Sequence, residues 1–192
     1  QLRTAAGQQA RDYLSRRKLS EASQDRWEIG YAPDARTALF SALTGKGIPP
    51  DLIVDAGLAI RPEDGGTPYD RFRGRIIFPI RDARGRAISL GGRALDPAAR
   101  AKYLNGPETE LFDKGRQLFN IGPAREAAGK GKPLIVAEGY MDVIALCDAG
   151  FTATVAPLGT AVTEDQLRLM WRIHPEPVIA LDGDKAGLRA AL

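Results

Sequence analysis

Two apolar runs without a polar interruption constrain this chain more than anything else in it: 134–137 in Pro133-Leu-Ile-Val-Ala-Glu-Gly139, and 178–181 in Pro177-Val-Ile-Ala-Leu-Asp-Gly-Asp184. Half-exposed strands alternate apolar and polar residues, so runs this short and unbroken are expected to be strands buried on both faces, as in a parallel sheet covered by helices. Each run closes on acid, Glu138 on the first and Asp182-Gly-Asp184 on the second. Ligands of open parallel sheets bind beyond the carboxyl ends of the strands, and such a fold would gather these three carboxylates there. An extended Asp-Gly-Asp sends alternate side chains to one side, and glycine lets the chain turn closely about an ion. Oxygen donors with no histidine or cysteine beside them favour Mg²⁺ or Mn²⁺. Taken singly, each piece has a plainer reading: the Asp-Gly-Asp as a solvated turn, the glutamate as a helix first-turn residue favoured by the dipole.

The rest of that half repeats strand and helix. A helix is expected over 140–149, stopped by Gly150, and a further strand over 152–156. Thr163-Glu-Asp-Gln166 has the form of a capping box opening a helix to about Arg172. Lys185-Ala-Gly187 would lead into a last helix, within which the chain stops, suggesting a piece of a longer protein. Such alternation implies a parallel sheet with right-handed crossovers.

The preceding residues are different in charge. Residues 1–129 carry 21 Lys/Arg against 16 Asp/Glu, and residues 130–192 carry 6 against 8. Between Arg71 and Arg93, seven arginines face one acid, Asp82, a concentration that attracts phosphates. Helices are expected over 4–19, with an apolar stripe through Ala10, Tyr13 and Leu14, from Ser20 onward, and near 35–43 and 50–56. From Phe72 the period becomes two, and Ile76-Ile-Phe-Pro-Ile80, the turn Asp82-Ala-Arg-Gly85 and Ala87-Ile-Ser-Leu90 predict a β-hairpin whose polar face displays arginines. A loop-rich stretch over 101–115 sets lysines beside Tyr103, and Gly129-Lys-Gly-Lys-Pro133 reads as a hinge. The expected organisation is therefore a basic helical and small-sheet subdomain, 1–129, followed by an α/β subdomain, 130–192.

One cysteine, Cys147, and one histidine, His174, give no support to disulfides, a zinc site or a nucleophile-histidine pair. No apolar run reaches the roughly 20 residues of a membrane span, and a cytoplasmic, membrane-independent protein is expected.

Glu138-Gly-Tyr-Met-Asp-Val143 with Asp182-Gly-Asp-Lys-Ala-Gly187 resembles the TOPRIM domain of primases and topoisomerases. Upstream, Arg75-Ile-Ile-Phe-Pro-Ile-Arg-Asp82, Gly91-Gly-Arg93, Lys102-Tyr-Leu-Asn105, Pro107-Glu-Thr109 and Phe112-Asp-Lys-Gly115 resemble the RNA polymerase core of bacterial replicative DNA primases of the DnaG type. The resemblance covers most of the chain. It implies an α/β fold with an α+β N-terminal part and a truncated, Rossmann-like TOPRIM sheet. It also implies metal-dependent synthesis of short RNA primers on single-stranded DNA from ribonucleoside triphosphates.

Carried over on the matching positions, Glu138 is the catalytic acid of the first TOPRIM motif, Asp182 and Asp184 are the metal-binding acids of the second, and Asp142 is a further acid near the site. Arg93, Lys102, Tyr103 and Lys114 match positions of nucleotide or template contact, and Arg11 and Arg75 join them. The implied cofactor is Mg²⁺ or Mn²⁺, zinc being expected only in a module absent from this chain. The implied partners are single-stranded template, RNA–DNA hybrid, ribonucleotides and, through a domain also absent, the replicative helicase. A monomer in the bacterial replication machinery is expected. The third acidic motif would lie beyond Leu192, so weak activity or none is expected of these residues alone. The rival readings are another TOPRIM enzyme, a topoisomerase or nuclease, and a non-catalytic nucleic-acid-binding module.

Overall fold

The computed structural model describes residues 1–159 and 161–181. Its contacts divide into two units, one of Gln1–Pro79 with Ser89–Leu111, the other of Ile80–Ile88 with the chain from Phe112 onward.

In the first unit a 3-10 turn, Ala5–Gly7, runs into α1 (Gln8–Arg16). Ala10 and Leu14, four apart and hence on one helical face, are fully buried. Ser20 caps α2 (Glu21–Arg26) by accepting from the Ser23 amide at 3.1 Å. There follow β1 (Gly30–Ala32), α3 (Ala38–Thr44), α4 (Pro50–Asp55), β2 (Ala59–Ile60) and β3 (Tyr69–Asp70). Phe40, Ile53 and Ala59 form a small core there, flanked by Leu43, Ile48, Val54 and Leu58. Thr37 leaves α3 without a side-chain cap, and the buried Asp70 supplies one from a distance, accepting from the amides of Leu39 at 2.7 Å and Phe40 at 2.8 Å. A carboxylate can be buried here because two helix first-turn donors satisfy it.

The expected hairpin is β4 (Arg75–Arg81) and β5 (Ala87–Ala94), in a four-stranded sheet of order β1-β4-β5-β6, with β6 at Tyr103–Asn105. Period two holds along β4: Ile76, Phe78 and Ile80 are buried, while Arg75, Ile77, Pro79 and Arg81 are half-buried. Gly85, at φ 81°, completes the turn, a left-handed position that glycine takes without steric cost. Asp82 organises it, its carboxylate accepting from the backbone amides of Arg84 and Arg86, both at 2.9 Å, and from the Arg86 side chain at 2.8 Å. These hydrogen bonds, led by the Arg86 amide, hold the Asp82 carboxyl below its ordinary pKa.

In the second unit a 3-10 turn, Lys114–Arg116, precedes β7 (Leu118–Phe119) and α5 (Ile121–Gly129). Then come β8 (Ile135–Ala137), α6 (Tyr140–Asp148), β9 (Thr154–Pro157), α7 (Glu164–Ile173) and β10 (Val178–Ala180). The sheet order is β10-β8-β9-β7, with β10–β8 and β8–β9 parallel and β7–β9 antiparallel. Leu118, Ile121, Ala124, Leu134, Val136, Val155 and Met170 form its core, and Ala83 of the hairpin turn packs against them. The capping box is present as expected: Thr163 accepts from the Gln166 amide at 3.1 Å, and the Gln166 side chain accepts from the Thr163 amide at 3.0 Å.

Three features add detail to the expected organisation. β7 and α5 pack with the α/β sheet, and the chain from Phe112 onward clusters with it. Physically, Leu118, Ile121 and Ala124 bury themselves in that core. Second, the sheet is mixed, since β7 adds an antiparallel edge. Third, β10 is the last of the described strands. Among the described residues it pairs with β8, and Val178 and Ile179 are 51% and 52% exposed there. Among the described residues no helix is long and apolar enough to cross a membrane.

Candidate functional site

The acidic candidates start from strand register. β8 and β10 run parallel with Ala137 opposite Ala180, so the two strands finish level. Glu138 stands immediately beyond the end of β8, exposed to solvent, before Gly139 and α6. Asp182 and Asp184 follow the described end of the second strand in sequence and lie outside the described residues. Among the described residues no three His, Cys, Asp or Glu side chains form a metal-holding group. Asp142 works locally, in the first turn of α6, where its carboxylate accepts from the Gly139 amide at 3.1 Å and so caps the helix that begins just after Glu138. Thus Asp142 helps fix the backbone next to Glu138. The helix is further seated by Tyr140, whose ring meets Phe119 edge-on at 4.8 Å.

The basic candidates in the first unit converge around one cross-strand pair. β5 and β6 are antiparallel with Arg93 opposite Tyr103 and Gly92 opposite Leu104. Arg93 Nη1 donates to the Tyr103 hydroxyl at 3.0 Å, and its Cζ stands 5.3 Å from that ring centroid. Lys102 Nζ lies 5.8 Å from the same ring, and Lys102 is exposed. Arg75 lies beneath, donating from Nη1 to the carbonyls of Gly92 at 3.3 Å and Lys102 at 3.5 Å. Burial lowers its guanidinium pKa, as it does that of Arg71, which donates to the Asn105 carbonyl at 3.1 Å. Gly92 is required by close approach: a Cβ there would come within 2.8 Å of Phe72 Cδ1 and 3.0 Å of Arg75 Cδ.

The arginine run is therefore not a uniform phosphate-binding face. Arg71, Arg75, Arg81 and Arg86 hydrogen-bond to Asn105, Gly92, Gly85 and Asp82, respectively. Arg11, the remaining arginine among the candidates, donates from Nη1 to the carbonyls of Leu2 at 2.6 Å and Thr4 at 2.7 Å, tying α1 to the N-terminal segment. Lys114 belongs to the second unit. Its side chain is exposed, and its carbonyl accepts from the buried Gln166 Nε2 at 2.8 Å, with the Gln117 carbonyl accepting from the same nitrogen at 3.1 Å. The structure thus brings Arg93, Lys102, Tyr103 and Arg75 together in one unit, and it places Glu138, Asp142 and Lys114 in the other.

Helical spacing puts Tyr13 in an apolar stripe, and the structure puts its ring 4.5 Å from Arg93 Cζ. No local pattern could have revealed this, because eighty residues of chain separate the two.

Known proteins are similar to this chain in sequence and in fold. Residues 1–125 match the family described as DNA primase catalytic core, N-terminal domain, and residues 132–192 match the Toprim domain family. A curated protein of Deinococcus radiodurans, DNA primase, is 45% identical over 184 residues, which is 95% of this chain and 32% of that protein. A crystal structure of a DNA primase domain from Pseudomonas aeruginosa is 41% identical, with a TM-score of 0.91, over 99% of this chain and 59% of that one. A structure of the DnaG primase catalytic domain bound to single-stranded DNA is likewise 41% identical, with a TM-score of 0.85, over 99% of this chain and 59% of the other. The chain spans about a third of the length of the curated DNA primase from D. radiodurans.

Proposed function

Because this chain belongs to the DnaG-type DNA primase family, carrying its catalytic-core N-terminal domain followed by a Toprim domain, we propose that it performs the nucleotidyl-transfer part of RNA primer synthesis on a DNA template. The observation that carries this reading is the level ending of β8 and β10, with Glu138 directly beyond one strand and Asp182 and Asp184 following the other in sequence.

The three carboxylates would hold Mg²⁺ or Mn²⁺, and the donor set fits: hard oxygen ligands, with neither imidazole nor thiolate in the motif. When bound, such ions stabilise the attacking 3′-oxygen and the leaving pyrophosphate oxygen. Asp142 acts on the same region through the backbone, fixing the start of α6 beside Glu138. Arg93, Lys102 and Tyr103 would hold nucleic acid, the cations on phosphates and the partly exposed ring against a base. Arg75 supports them from below, and Arg11 supports α1. Phosphate contacts of this kind carry no sequence information, so any preferred start sequence would have another origin.

Templates would be single-stranded DNA and the growing RNA–DNA hybrid, substrates would be ribonucleoside triphosphates, and the setting would be the cytoplasmic replication machinery. The replicative helicase would be met by a part of the protein outside these residues. Residues 1–129 would serve mainly as the basic, template-holding part and 130–192 as the metal-holding part, the protein acting as a monomer. The test is primer synthesis on single-stranded DNA with Mg²⁺ and four ribonucleotides, using the chain extended to the length of its curated relatives, with an Asp182→Asn control. Product that disappears in the control supports a metal-dependent primase. DNA affinity that persists in both proteins with no product in either would point to a binding module whose acids are structural.

A further inference from the structure

We propose that Tyr13 of α1 is a positioning residue for Arg93, fixing the guanidinium that contacts nucleic-acid phosphate. This rests on the assignment of Arg93 to phosphate made above. Arg93 Cζ lies 4.5 Å from the Tyr13 ring centroid and 5.3 Å from that of Tyr103, so rings from a helix and a strand both bear on one cation. Among the described residues no carboxylate pairs with Arg93, and its buried Nε has no hydrogen-bond partner. The hydrogen bond that directs the head is that of Nη1 to the Tyr103 hydroxyl, at 3.0 Å.

This choice of partner matters chemically. A carboxylate would hold the guanidinium but cancel the charge that an incoming phosphate needs. Aromatic faces attract the cation through the ring quadrupole and leave its net charge intact. Tyr13 is itself held: its hydroxyl accepts from Arg17 Nε at 3.1 Å, and the helix that carries it is anchored by the fully buried Ala10 and Leu14. The orientation of Arg93 thus depends on a residue eighty positions away.

The experiment uses the intact chain and fluorescence anisotropy with a labelled oligothymidylate over a range of salt concentrations. Tyr13→Leu, which fills space without a π-face, is expected to weaken binding ~3- to 10-fold, and Tyr13→Phe, which keeps the ring, by less than ~2-fold. Combined with Arg93→Ala, Tyr13→Leu should add no further loss. Binding of Tyr13→Leu at parental affinity while Arg93→Ala is weakened would overturn the inference alone, as would losses that multiply in the double variant. An Arg93→Ala chain that binds like the parent would instead overturn the phosphate assignment and Tyr13's role with it.

Thermal melting establishes that each variant is folded. A second measurement needs no variant at position 13. In the parent chain the Arg93 Nε–H resonance, assigned with Arg93→Lys, should be displaced by ring currents and move when oligothymidylate is added. A resonance that moves with DNA but shows no ring-current displacement would refute positioning by Tyr13.

Discussion

Around Arg93, neighbours are fixed by contacts of their own: Tyr103 by strand pairing, Arg75 by two carbonyls, Tyr13 by Arg17. Glu138 owes its place mainly to the strand that ends before it and the helix cap that follows. The basic region converges on one cross-strand pair, whereas Glu138 stands where a strand ends and a capped helix begins. The difference teaches where each should be vulnerable. Substitution among the basic residues should spread to neighbouring groups, whereas replacing the exposed Glu138 should remove chemistry and leave the fold intact.

The largest expected effect tests the acidic side. In the extended protein, Glu138→Gln should lower primer synthesis by at least ~100-fold while the melting temperature stays within a degree or so of the parent, as an exposed group requires. Substantial synthesis would take Glu138 out of the reaction, and a large drop in melting temperature would break the contrast.

Gln166 probes the exception, a side chain that carries structural weight in the acidic unit. It is fully buried and hydrogen-bonds to Lys114, Gln117 and Thr163. Gln166→Leu removes those hydrogen bonds and should cost about 2–4 kcal/mol in urea unfolding. A cost near zero would mean that the segment carrying Lys114 is held by other means.

Smaller effects sharpen the basic side. Lys102→Ala should weaken single-stranded DNA binding several-fold and reduce the salt slope by roughly 0.7, the value for one phosphate contact on a single strand. An unchanged slope would remove Lys102 from the phosphate-binding set.

The smallest effect concerns pH. The Asp82 carboxyl has its pKa depressed in the folded chain below its ordinary 3.8. Its contribution to stability is therefore complete above the unfolded value and is lost as pH falls through the folded one. Comparing the parent with Asp82→Asn, the stability difference should shrink as acid is added below pH 3.8. A difference that is constant down through that range would assign Asp82's effect to packing alone.

Much of the α/β half was legible because its signals are local. The unbroken apolar runs gave β8 and β10, the capping box gave α7, and Gly150 stopped α6 near its predicted end. The hairpin was legible for the same reason, with period two on either side of a glycine turn. α5 was missed: Gly122, Pro123 and Gly129 dilute its helical pattern, and only packing of Ile121 and Ala124 in the sheet's core favours it.

For the site, Glu138 stood out through its place after a strand, but the helix cap made by Asp142 and the internal bonds of Arg11 and Arg75 needed coordinates. The same holds for Tyr13, whose partner lies on another element.

The pairing of Ala137 with Ala180 acts as a ruler for whatever follows the two strands. Sliding one parallel strand past the other by a single residue would displace its exit by about 3.3 Å, more than a whole Mg²⁺–oxygen bond of ~2.1 Å. Sheet hydrogen bonds permit only whole-residue errors, so the tolerance that the proposed metal site would demand at the strand ends would be met digitally: the register is either right or it misses by more than a ligand's reach.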